Sequence, residues 1–305
     1  MADIHTPSPL THEPCGVECD TRIHRPRNTK EALACMRKTL RRFYSSGDRR
    51  AVFLRAYYVM TAQVNASIHG GNEDFEKPIF FDPGWVDRLA GRFSRLYFQS
   101  LEKPACKAWE IARVRAASRH ASSVLQNMFL GINAHINFDL AQGISSVLQE
   151  DGDPADEGLM ARRKFDHDQM NNVLVRCNPK IQDVLGHEFG GGMRLVSDLL
   201  GKFDELLSST GLRYYRDRVW CNVLGLLSAK SAEEHEKVRM RLDWESQQVA
   251  EFIIDGSWMN KLVYGFDALL SRRNFQGRFE PDGVIGIHAQ GRMAHRLQMP
   301  YSPGA

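Results

Sequence analysis

No stretch of the chain offers the roughly 20 consecutive apolar residues that a membrane-spanning helix requires, so no transmembrane segment is expected. The residues from Met1 to Pro9 contain no apolar core of the kind a secretory signal carries, which predicts a cytoplasmic protein. Charge of one sign is also lacking. Forty Lys and Arg stand against 37 Asp and Glu, a net of +3, too mild for a nucleic-acid partner. Gly and Pro, 24 and 12 residues, are in no excess, and with 43% apolar and 25% charged residues neither collagen-like nor disordered readings fit. None of the six cysteines falls in a Cys-x-x-Cys pair. Cys15 and Cys19 stand alone in a Pro-containing stretch, so free thiols are expected rather than a zinc knuckle or disulfides. Also missing are a P-loop, a Rossmann glycine fingerprint, a Gly-x-Ser-x-Gly elbow and a His-Glu-x-x-His motif. No nucleotide cofactor is therefore expected, and serine-hydrolase readings lose their basis.

What is present is helical period. Residues 1–28 read as an irregular arm, and from Thr29 apolar residues recur at steps of three and four. Leu33, Met36, Leu40 and Phe43 form one stripe, ended by Gly47-Asp48. Phe53, Tyr57, Met60, Val64 and Ile68 form the next. Asp82-Pro83 is a cap followed by a first-turn proline. It opens a helix with Val86, Leu89, Phe93, Leu96 and Tyr97 on one side. A helical pattern runs from Pro104 to about Leu148, with a break expected near Ser118–Ser123 or a kink near Gly131. The acidic residues of 150–157 read as an exposed loop. Leu159 to Cys177 reads as a helix ended by Pro179, with a short helix over 180–188. Further helices are expected over 193–209, 212–229, 257–275 and, from a Ser231–Glu234 capping box, to about Asp255. No strand alternation and no internal repeat is found. The expectation is an all-α single bundle of nine or ten helices over 29–275, with an irregular tail over 276–305.

Two segments carry chemistry. In the first, Asn133-Ala-His-Ile-Asn-Phe-Asp-Leu140, His135 and Asp139 are four apart and share a helix face. That spacing suits a carboxylate orienting an imidazole as a base. It also suits two ligands for one divalent ion. Asn133 and Asn137 form a second such pair among apolar neighbours, so a buried hydrogen-bonded network tying helices together is the third reading. In the second segment, Leu159, Arg163, Asp166, Met170 and Val173 trace one stripe, which turns Arg163 and Asp166 inward as a structural ion pair or part of a site. Asn171 and Asn172 follow. Residues 37–55 hold seven Arg and Lys against Asp48 alone, either two solvated helix faces or a contact for phosphate or anionic lipid. His187-Glu188 before Gly190-Gly191-Gly192 reads as a helix-end turn or a hinge, and Gly131 as a point of close helix packing.

The octapeptide resembles the Asn-Ala-His-Ile-Asn-x-Asp-Leu hallmark of a mainly bacterial helical family, the domain of unknown function DUF5995. Phe75, Trp85, Leu89, Phe93 and Tyr97 are similar to its aromatic helix region, and Trp109 precedes the hallmark as in the family. Arg163, Asp166 and Asn171 or Asn172 resemble its Arg-x-x-Asp and Asn-x-x-Leu elements, and Arg218 with Trp220 its late Arg/Trp helix. The resemblance spans about residues 50–230 and implies a helical fold with a polar hallmark, without an activity. A looser similarity is to zinc-dependent phospholipase C-like helical enzymes, which use His-x3-Asp ligand pairs. A second such pair is absent here, and His69, His120, Asp166, His167 and His187 are the residues left to complete such a site.

Three functions follow. The first is an enzyme acting on an apolar small molecule, a lipid, isoprenoid or polyketide intermediate, by cyclisation, isomerisation or elimination. Its pocket would lie between the hallmark helix and 159–176, with His135, Asp139, Arg163 and Asp166 catalytic and Asn133, Asn137, Asn171 and Asn172 holding substrate. The second is a zinc hydrolase with His135 and Asp139 as ligands. The third is a non-catalytic binding bundle.

Overall fold

The computed structural model describes residues 25–69, 79–117, 123–152, 154–189 and 209–255. Among them the chain is all-α and without strands. The helices are α1 (Thr29–Ser46), α2 (Ala51–His69), α3 (Pro83–Glu102), α4 (Lys107–Ala117), α5 (Val124–Asn133), α6 (Leu140–Asp151), α7 (Glu157–Phe189), α8 (Ser209–Ser228) and α9 (Ala232–Asp255). A π-helical segment, Ala134–Asp139, joins α5 to α6 into one rod, so these residues form eight helical rods, slightly fewer than expected. The helix expected over 257–275, most of that over 193–209, the arm up to residue 24, the tail and Phe75 lie outside the described residues.

Local signals account for most ends. Asn28 caps α1 through the Glu31 N–H, and Gly47 ends it in the left-handed conformation, φ 66°, which glycine adopts without a Cβ clash. Asp82 accepts from the Trp85 N–H, with Pro83 in the first turn of α3. Ser123, at the edge of the expected break, has extended backbone and opens α5 with a reciprocal capping box to Gln126. Ser231 caps Glu234 as expected, but the Glu234 carboxylate returns to the Lys230 N–H.

α2 lies at the centre. From Ala51 to Val59 every residue is buried, so it is enclosed on all sides and not on one stripe. It packs on α1, α3, α5 and α7, while α9 closes over α4, α5 and the π segment.

Two expectations are corrected. Pro179 does not end a helix: α7 runs unbroken through it to Phe189. Beyond the proline, Ile181, Val184 and Leu185 join Cys177 in a buried cluster with Val52, Ala56 and Val59 of α2. That burial outweighs the backbone hydrogen bond the proline cannot make. Nor is the acidic segment wholly exposed. Asp151 turns inward to Arg88 at 2.5 Å and Arg163 at 3.1 Å.

Candidate functional site

The hallmark segment is a π turn and not plain α-helix: the Leu140 N–H donates to the His135 carbonyl, five residues back. Such turns displace backbone hydrogen bonds and occur frequently at functional sites. His135 and Asp139 lie one above the other on it. His135 Nδ1 is 2.9 Å from Asp139 Oδ2, and the same oxygen accepts the indole N–H of Trp109 at 2.9 Å. A carboxylate oxygen accepts, so the proton of the neutral imidazole sits on Nδ1 and Nε2 presents a lone pair. His135 is 3% exposed, and its Nε2 has no hydrogen-bond partner.

Around the imidazole stand five aromatic rings from three helices. Phe93 of α3 stacks on it at 3.5 Å between centroids, 6° from parallel. Tyr57 of α2 meets it edge-on at 4.6 Å and Phe53 at 5.8 Å. Tyr97 and Trp109 complete the ring set at 6.0 Å each. Phe53 with Tyr57, and Phe93 with Tyr97, are i,i+4 pairs, so α2 and α3 each present two rings to one point and α4 adds Trp109. The enclosure shapes the acid–base chemistry. Burial pushes the His135 imidazole below its ordinary value, against the raising effect of Asp139. Burial likewise pushes the Asp139 carboxyl up, against the hydrogen bonds from His135 and Trp109. The pair therefore resists charge separation, and the His135 imidazole is held neutral.

Asn133 and Asn137 serve another contact. Asn137 donates to the Asn133 side-chain oxygen at 2.7 Å, and Asn133 donates to the Ser246 carbonyl at 2.8 Å, fastening α9 to the hallmark rod.

Arg163 and Asp166 point inward as the stripe required, but they do not pair with each other. Arg163 reaches Asp82 at 2.8 Å and lies over the Trp85 ring. Asp166 accepts the backbone N–H groups of Phe81 and Asp82 at 2.5 and 2.9 Å. Both side chains hold the entry to α3. Trp85 and Phe93 are eight residues apart on that helix, about 12 Å at 1.5 Å per residue. The structure thus sorts the four charged residues into two clusters with separate partners and does not bring them to one point. Asn171 is buried with an unpartnered side-chain oxygen, whereas Asn172 is exposed and pairs only with Gln169, because neighbouring helix positions face apart.

Sequence reasoning missed two buried clusters. Arg55, 0% exposed, makes a two-pronged contact with Glu188 at 2.8 and 3.0 Å, and the same carboxylate accepts the Tyr44 hydroxyl. Arg55 is thus not part of a solvated face, and Glu188 is no free hinge residue. His167, buried beside Trp220, donates from Nε2 to the Arg216 carbonyl at 3.0 Å. Arg216 donates back to Nδ1 and to the His167 carbonyl. Only the tertiary fold reveals these partners, which lie 133 and 49 residues apart.

As a metal set, His135 and Asp139 gain no companion: among the described residues no group of three His, Cys, Asp or Glu converges. His69 and His187 are exposed, His167 is held by Arg216, and His120 lies outside the described residues. Cys35, Cys106 and Cys177 are buried free thiols and Cys221 an exposed one. No described helix is long and apolar enough to cross a membrane.

A cleft lies beside the cage. It is bounded by Phe53, Tyr97, Trp109 and Gly131, between α2, α3, α4 and α5. Gly131 is a point of close packing, since a Cβ there would stand 2.3 Å from the Phe53 ring.

A model of a family of unknown function, DUF5995, matches residues 29–256, a longer span than the motifs alone suggested. No curated protein and no solved structure matches the chain.

Proposed function

The chain belongs to the family of unknown function DUF5995, and we propose that it is an enzyme transferring a proton within an apolar small molecule, with His135 as base and Asp139 as the residue that orients it. The observation that carries this reading is the lone pair of His135 Nε2, unpartnered in the interior while Nδ1 is held by Asp139. An unpaired polar atom at that depth costs about 1–3 kcal/mol, a cost easier to understand in a group kept for chemistry. The aromatic enclosure excludes water, which keeps the imidazole neutral and basic toward carbon acids. Isomerisation, cyclisation and elimination within a lipid, isoprenoid or polyketide skeleton all begin or end with such a transfer. A zinc hydrolase has less support, because Asp139 Oδ2 already accepts two N–H donors and no third ligand joins the pair among the described residues.

Deuterium wash-in tests the proposal and needs no identified substrate. The full chain is incubated in heavy water with a metabolite extract of its source cells, and carbon-bound deuterium is read by mass spectrometry. The expected result is a metabolite labelled by the wild type, unlabelled with His135→Gln, and labelled about 100- to 10,000-fold more slowly with Asp139→Asn. Equal labelling by all three proteins, or no labelled metabolite, overturns it.

A further inference from the structure

Trp109 reaches the His135–Asp139 dyad from α4, 30 residues away in sequence, and touches it through one atom. Its indole N–H donates to Asp139 Oδ2 at 2.9 Å, the oxygen that His135 Nδ1 also meets at 2.9 Å. Packing sets the aim of the indole. Its ring lies 5.7 Å from those of Phe53 and Tyr97, and the backbone N–H of Lys107, at the start of α4, is tied to Asp243 of α9.

Asp139 is buried, and among the described residues its one partner at ion-pair distance is His135. The ionisable groups around the pair bring no positive charge. Burial pushes up the Tyr57 and Tyr97 hydroxyls and the Cys106 thiol, which feels Asp139, so all three stay neutral. Tyr57 is moreover spent on Ser94. A buried carboxylate without a cation persists only on hydrogen bonds, and here two N–H donors supply them.

The two donors are not equivalent. Either imidazole nitrogen can carry the ring proton, whereas an indole N–H donates and does nothing else. If the Nδ1 proton passed to Oδ2, one proton from water would join Nε2. The dyad would then be a neutral acid beside an Nε2–H imidazole. The indole would face a hydroxyl oxygen in place of an anion, and a hydrogen bond to a charged group is roughly twice as strong as a neutral one. Nε2–H would also be a buried donor at an atom that has no partner.

We propose that Trp109 is the positioning residue that fixes the dyad proton on His135 Nδ1: its N–H holds Asp139 as the anion and so keeps the lone pair on Nε2. The inference rests on the proposed function only for the use made of that lone pair; where the proton sits is a property of the resting protein.

Nitrogen NMR of the full chain, isotope-labelled at histidine, tests it, because protonated and bare ring nitrogens resonate far apart. The signals lost in His135→Gln identify the residue. Two replacements remove the indole N–H. Trp109→Phe is the simpler. Exchange of Trp109 for benzothienylalanine puts sulfur where the N–H stood and keeps the shape of the ring, so no water enters in its place. Melting temperatures check folding. The expected wild-type result at about pH 7 is a proton on Nδ1 and none on Nε2. In both replacements the dyad should bind its extra proton about 10- to 100-fold more tightly, moving the midpoint up by about one to two pH units. An Nε2–H tautomer in the wild type, or a midpoint unmoved by the sulfur exchange, overturns the role of Trp109. An unmoved midpoint leaves proton transfer at His135 standing. A shifted midpoint without any deuterium-labelled metabolite keeps the role of Trp109 and removes the enzyme.

Discussion

The imidazole of His135 lies flat on the ring of Phe93, with 3.5 Å between centroids and 6° between planes. The stack closes one face of the imidazole, while Tyr57 closes an edge. Phe93→Leu keeps an apolar side chain but removes the flat cover. It is expected to cost about 1–3 kcal/mol in urea denaturation. With water admitted, the His135 imidazole should titrate closer to its ordinary value, which NMR of the ring protons reads directly. A variant with unchanged stability and unchanged titration would show that the stack does not shield the imidazole.

Stability should fall in mild acid. The His167 imidazole is held well below its ordinary 6.5 by burial and by Arg216, and His135 is lowered by burial. In each case the unfolded chain takes up a proton that the folded chain refuses. The histidine contribution is therefore complete above pH 6.5 and is lost as pH falls below it, at most about 1.4 kcal/mol per pH unit for each group. Asp139 acts oppositely: its carboxyl is raised from 3.8, so its contribution is present below that value and lost as pH rises through the folded value. Denaturation series from pH 7 to 5 should show the decline, and His167→Gln should flatten it. A flat wild-type profile would contradict the buried neutral histidines.

Removing the charge from Glu188 should be severe. Glu188→Gln leaves Arg55 buried without its carboxylate, an imbalance expected to cost about 3–5 kcal/mol. The double replacement Arg55→Met with Glu188→Leu removes both charges and should recover most of that loss. Thermal unfolding of the two proteins checks the order. A double variant less stable than Glu188→Gln would mean that the charged pair contributes beyond neutralising itself.

Pro179→Ala should stabilise the protein, by up to about 3 kcal/mol. The replacement restores an N–H within the unbroken helix α7 and leaves the buried Cys177, Ile181 and Val184 in place. Chemical denaturation measures the gain. A loss of stability would show that α7 depends on a bend at the proline.

Part of the candidate site was legible in the residues themselves. The i,i+4 spacing of His135 and Asp139 was enough to put them in contact, because it acts within one turn whatever the rest of the chain does. The aromatic stripes were visible too: Phe53 with Tyr57 and Phe93 with Tyr97 stood at helical spacing. That all four rings, with Trp109, face one imidazole was not visible, since it depends on how α2, α3 and α4 pack on the π turn. The inward turn of Arg163 and Asp166 could be read from their stripe. Their partners Asp82, Asp151 and the backbone at Phe81 could not, being 12 to 85 residues distant.

What the sequence alone determined is therefore local: an all-α chain, the caps at Asp82 and Ser231, and the His135–Asp139 dyad. Periodicity and capping act over three or four residues and do not depend on distant neighbours. The tertiary structure decided which buried charges meet, that α7 continues through Pro179, that the hallmark relaxes into a π turn, and that five aromatic rings from three helices enclose one imidazole. Those outcomes depend on surface removed from water between distant segments. A buried charge takes whichever partner the packing brings within reach, and spacing along the chain does not encode that choice.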